Sequence, residues 1–144
     1  MSYTRITKSN FLEMLRKASW APLAVLLGHA IAGKVFGHEP YVDPVMHFFG
    51  GAAIAYFFYY SLQIMYRESG FASRLTILCI AVSLACNAAL FWEFGEFVSD
   101  RVFGTNVQRD LMNTMRDLIL GALGASVAAT AISASHWNSR LRER

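Results

Sequence analysis

Three stretches of this sequence set ionisable side chains at helical spacing within apolar surroundings. Glu93 and Glu96 stand i, i+3 in FWEFGEFVSD; Asp110, Asn113 and Asp117 stand i, i+3, i+7 in RDLMNTMRDLILG; Asp43 and His47 stand i, i+4 in DPVMHFFGG. Each set therefore lines one stripe of its helix. Ionisable groups cost roughly 2.5–3.5 kcal/mol each on membrane insertion scales, so a cluster of them in apolar sequence points to function. The carboxylates outnumber the groups that could neutralise them. In a low dielectric some must be protonated, paired with Arg116 or Arg109, or bound to a cation. Histidine with several carboxylates suits a borderline-to-hard divalent metal, and the candidate ligands are His47, Glu93, Glu96, Asp110 and Asp117. The pattern is not the Glu-x-x-His pairing of di-iron bundles.

As chemistry, the set suits an intramembrane enzyme acting on a lipid or lipid-linked head group. Glu93 or Glu96 would serve as general base or metal ligand, and His47 and Asp117 as ligand or acid. Arg116, with Asn113, would hold a phosphate, and Asp43 and His29 would stand behind these residues. Two other classes fit the same residues: a binder or carrier of a cation, proton or small amphiphile, and a scaffold whose polar network only fixes helix register. Plainer roles also exist for single members. Asp43 and Asp110 suit helix caps, His29 suits a packing histidine, and Arg116 suits the neutralisation of a glutamate.

The elements that must position these groups are membrane helices. The chain has 144 residues, 55% hydrophobic and 14% aromatic, which is more apolar than a soluble domain of this size. An all-α, four-helix transmembrane bundle in one domain is expected. Asn10 and Glu13 have capping-box spacing, and residues 1–19 predict a short amphipathic helix on the membrane surface. These residues are polar and basic without an Ala-x-Ala site, unlike a signal peptide. Spans are expected over about 20–36, with Pro22 in the first turn, and 44–66, with Asp43 as N-cap and Pro44 at the first helical position. Two more follow over 73–99 and 107–137. Gly50 to Ala53, and Gly121 with Gly124 to Ala129, provide small-residue faces for close packing. Cys79 and Cys86 read as packing residues, and the aromatics from Tyr56 to Tyr60 as lipid-facing or packing groups. His38, Glu39, Tyr41 and Trp92 suit interfacial anchors.

Charge sets the orientation. Of the 13 Lys and Arg, nine lie in the N-terminal segment, the Arg67–Arg74 loop and the C-terminal tail, so basic residues follow topology rather than a nucleic-acid partner. Both termini are then cytoplasmic (N-in, C-in) in a multi-pass protein of the bacterial inner membrane. On this topology Asp43, His47, Glu93, Glu96, Asp110, Asn113 and Asp117 all reach the outer-leaflet level. Helical rise places His47 and Glu96 roughly 6 Å below the outer ends, Glu93 and Asp117 roughly 10 Å, and His29 near 12 Å. Transport by four short helices would call for a homo-oligomer.

The runs Asp43-Pro-Val-Met-His47-Phe48, Trp92-Glu93-Phe-Gly-Glu96 and Asp110-Leu-Met-Asn113-Thr-Met-Arg-Asp117, with Gly121 and Gly124 after them, carry a resemblance. The sequence resembles the small integral membrane proteins of the YjdF-like group, in the wider VanZ-like superfamily. Pro44 stands where VanZ-like proteins usually have Lys and Glu96 where they often have Gln, which brings it nearer the YjdF-like branch. The resemblance implies a polytopic membrane protein with Asp43, His47, Phe48, Glu93, Glu96, Asp110, Asn113 and Asp117 at family-type positions. VanZ-like members are associated with glycopeptide resistance, and the likeness implies no particular reaction.

Overall fold

A computed structural model describes residues 8–35, 41–66 and 72–142, so His38 and Glu39 lie outside the described residues. Five helices follow in order: α1 Lys8–Ala18, α2 Trp20–Val35, α3 Val42–Tyr66, α4 Arg74–Phe103 and α5 Leu111–Arg142. There is no strand among the described residues. Three segments are long and apolar enough to cross a membrane: α3, α4 and α5 as far as Ser135. The 16 residues of α2 rise only about 24 Å, short of a bilayer core of about 30 Å. It qualifies only together with α1 as one span bent by 44°, the break lying at Ser19.

Several helix limits differ from expectation, and at Ser73, Asp100 and Asp110 a side chain sets them. Asn10 lies inside α1, so the Asn10–Glu13 pair does not start that helix; Glu13 instead accepts a 2.8 Å bond from Lys17 one turn on. α3 begins at Val42, one residue before the expected cap, and Asp43 falls in its first turn. α4 starts at its N-cap Ser73, whose Oγ accepts from the Thr76 amide at 3.1 Å. It runs on to Phe103 and stops where Gly104 turns left-handed at φ 65°. A Gly104→Ala change should therefore cost about 1–2 kcal/mol, read as a lower thermal midpoint in detergent. α5 begins at Leu111 rather than near Val107, because the Asp100 carboxylate accepts from the backbone amides of Val107 and Gln108, each at 2.9 Å. Those amides are thereby spent on a loop. Asp110 then caps α5, accepting from the Asn113 amide at 2.8 Å.

α3 is the hub of the bundle and packs on all four other helices. Its closest partner is α5. A methyl group built on Gly51 would overlap the Gly121 backbone, and one on Gly124 would overlap the Phe48 carbonyl, so the two backbones meet with no side chain between them. Further along, Ala55, Ala85 and Ala125 form an alanine core, followed by Tyr59, Ile77, Leu78, Ala81 and Ile132. Tyr59 is buried in that core, while Tyr56 accepts from Trp20 at 3.3 Å and donates to the Lys17 carbonyl at 3.5 Å, tying α1 and α2 to α3. Cys79 and Cys86 are free thiols. Large apolar side chains such as Phe91, Phe94, Ile119 and Leu123 stay exposed on the outside of the bundle. In water such a surface would drive aggregation, whereas in lipid it is the expected exterior.

Candidate functional site

The start of α3, the end of α4 and the start of α5 lie together at one end of the bundle. Their polar stripes meet at His47. One group comprises Asp43, His47 and Glu96; a second, more buried group comprises His47, Glu93 and Asp117; in each, the candidate ligand atoms lie within 4.8 Å of one another. His47 is shared between them. Its Nε2 lies 3.4 Å from Asp43 Oδ1 and its Nδ1 3.7 Å from Glu93 Oε1.

Asp117 is 0% and Glu93 2% exposed, a depth at which an unpaired carboxylate is not stable as an anion. Asp117 accepts from Asn113 Nδ2 and from Arg116 Nε (3.1 Å) and Nη2 (3.4 Å). The same guanidinium lies 3.7 Å from Asp43. Trp92 Nε1 donates to Glu96 at 2.7 Å, so Trp92 serves the site as well as the bundle surface. Glu93 Oε2 accepts from Gln108 at 3.3 Å. Glu93 Oε1, in contrast, is buried without a hydrogen-bond partner and points toward His47. Four carboxylates thus share one arginine and one imidazole.

Gln108 is the member that sequence reasoning passed over. It is an uncharged residue in a loop with no spacing to mark it, and it reaches Glu93 because Asp100 folds residues 105–108 back over the end of α4. The signal was Asp100 itself, an acidic residue at a helix end followed within a few positions by Thr105. Gln108→Leu should lower stability by about 1–3 kcal/mol, the cost of leaving the buried Glu93 Oε2 without its donor. Asp100→Ala should produce part of the same loss. The two together should fall short of additivity in thermal unfolding, since they act through one loop.

Of the expected site residues, His47, Glu93, Glu96, Asp117, Asn113, Arg116 and Asp43 are brought together. Two are not. Asp110 is exposed and occupied as the cap of α5, outside both carboxylate groups. His29 stands behind the cluster, as expected of it, rather than in it: its ring meets Trp92, the donor to Glu96, edge-on at 6.2 Å. Arg116 pairs with aspartates of α3 and α5, not with a glutamate of α4.

The family described as "Predicted membrane protein (DUF2238)" matches residues 4–138, which includes every residue of the cluster. The chain belongs to the DUF2238 family. A DUF2238 chain is thus an integral membrane protein by description, in keeping with its three spanning helices. A curated protein of Thermotoga maritima, described as uncharacterized, is 34% identical over 109 residues, 72% of this chain and 55% of that protein. The chain therefore spans about half the length of this relative. No solved structure matches it.

Proposed function

We propose that this DUF2238 protein binds a divalent cation at His47, Glu93 and Asp117 and uses it in chemistry on a lipid or lipid-linked head group at outer-leaflet depth. The reading includes one membrane domain of four spans, with α1 and α2 together as the bent first span and both termini inside. The nine basic residues that sequence places on one side support it. It keeps the YjdF-like and VanZ-like kinship as an envelope-related setting in the bacterial inner membrane.

The observation that carries the proposal is Glu93 Oε1: a carboxylate oxygen, buried and without a donor, beside an imidazole and a second buried carboxylate. A divalent ion would satisfy that oxygen and offset the excess of negative charge. Asp43 lies on the opposite imidazole nitrogen, as a carboxylate does behind a metal-bound histidine. Ligands about 2.0–2.2 Å from a zinc-like ion lie no more than about 4.4 Å apart, so the set closes with a small side-chain adjustment. The cation would polarise a phosphate oxygen or acidify a water. Glu96, in the outer group, would accept the proton, and the Arg116 guanidinium, 39% exposed, would face the phosphate.

A carrier would need polar groups continuing along the bundle. Instead the alanine core of α3, α4 and α5 follows the site, which favours chemistry at one level over passage. The test is head-group analysis by mass spectrometry of phosphatidylglycerol–phosphatidylethanolamine vesicles holding the purified protein and Mn²⁺. Head-group turnover should occur with the wild type and drop at least about a hundredfold in Glu96→Gln, as for loss of a general base. Equal turnover by both proteins would remove Glu96 from the chemistry, and none by either would reject both lipids as substrates.

A further inference from the structure

The backbones of α2 and α4 stay more than 8 Å apart although both pack on α3. Their side chains meet where His29 touches Trp92. Between them lies a cleft of about 250 Å³, whose walls include Val25, Ile54, Ala85, Ala88 and Trp92. Apart from the imidazoles of His29 and His47, its principal walls are apolar, and His47 belongs to both carboxylate groups as well. The cleft therefore opens onto the polar site at one end. From Met46 to Ile54 it follows α3 for about 12 Å.

Gly50 decides what this space is for. Gly51 and Gly124 are required by the contact of α3 with α5, but a methyl group on Gly50 would meet nothing within 4 Å. Glycine inside a helix is about 1 kcal/mol worse than alanine, and no neighbouring helix at Gly50 offsets that. Gly28, Gly33 and Gly95 also face open space, but of these four only Gly50 lines the cleft. Its missing side chain keeps the cleft open. The volume is below the about 300–1,000 Å³ of a complete ligand pocket, so it suits one part of a larger molecule.

We infer that this cleft is the tail subsite of the His47 site and takes a single hydrocarbon chain of an amphiphile whose phosphate head lies at the carboxylate cluster. The head-group assignment rests on the function proposed above, and the cleft is tested separately from it. The probes are butyl, octyl and dodecyl phosphate, titrated by native mass spectrometry against the full chain in mild detergent with Mn²⁺. The ratio of wild-type to Gly50→Leu affinity at each chain length cancels partition into the micelle. A buried CH₂ is worth about fourfold in affinity, so excluding only a few of them should weaken dodecyl phosphate at least about tenfold. Butyl phosphate and Mn²⁺ content should stay at wild-type levels. Ala88→Leu, on the facing wall, should act like Gly50→Leu, whereas Gly33→Leu, outside the cleft, should bind like wild type. Equal dodecyl phosphate binding by wild type and both cleft variants, equal loss in Gly33→Leu, or no binding of any alkyl phosphate would overturn the tail subsite. Absence of Mn²⁺ from the wild type with the chain-length ratio intact would overturn the metal reading and leave the cleft standing.

Discussion

Gly51→Ala and Gly124→Ala should each destabilise the protein by about 3 kcal/mol or more, seen as a lower thermal midpoint and less monodisperse protein in detergent. The added methyl in each case meets backbone atoms of the facing helix, Gly121 or Phe48, which cannot rotate away as a side chain would. α5 must then move off α3, and the packing between the most closely joined pair of helices is lost. Gly121→Ala should be milder, because its methyl would meet the Ala89 side chain at 3.3 Å and needs only a small shift. Gly28→Ala and Gly33→Ala should be neutral or slightly stabilising, since both face open space. A midpoint unchanged in Gly124→Ala would mean that α3 and α5 do not pack this way. The effect should extend to the site: Asp117 lies one turn from Gly121, and His47 adjoins Phe48, so a displaced α5 separates the two halves of the inner group.

The polar stripes were legible in sequence because helical periodicity converts spacing into faces, and three stripes brought to one end of an antiparallel bundle have few ways to avoid one another. Asp43 with His47, Glu93 with Glu96, and Asn113 with Asp117 could be placed this way. Rise per residue gives height but no position around a bundle. His29 shows the difference: rise places it level with the inner group, but among the described residues α2 makes no contact with α5, and its imidazole reaches Trp92, behind Glu96. Boundaries failed where a side chain outcompeted the helical pattern. Asp100 draws the amides of Val107 and Gln108 into a loop, which delays α5 to Leu111 and delivers Gln108 to Glu93. Asn10 misled for the opposite reason. Its spacing to Glu13 is that of a cap, but Glu13 lies within reach of Lys17, and α1 already includes Lys8.

The second large effect is expected at the inner group. Glu93→Gln/Asp117→Asn keeps the size of both side chains, and each new amide retains an oxygen that can accept from Gln108 or from Asn113 and Arg116. Arg116 also retains Asp43. The fold should therefore survive while two anionic ligands disappear. Altering groups that merely support a ligand costs about 10–100-fold in metal affinity, so removing two ligands should cost more. A purely structural network predicts otherwise: neutralising two buried carboxylates would relieve repulsion, raise stability and leave metal content unchanged.

Elemental analysis separates these outcomes most directly. Wild type and Glu93→Gln/Asp117→Asn, purified in mild detergent and equilibrated with Mn²⁺ or Zn²⁺ before removal of free ion, should elute alike with the same helical circular dichroism. Wild type should carry stoichiometric divalent metal, and the double variant less than about a tenth of it. Wild type without metal, or a double variant that retains it, would contradict the cation site at His47, Glu93 and Asp117.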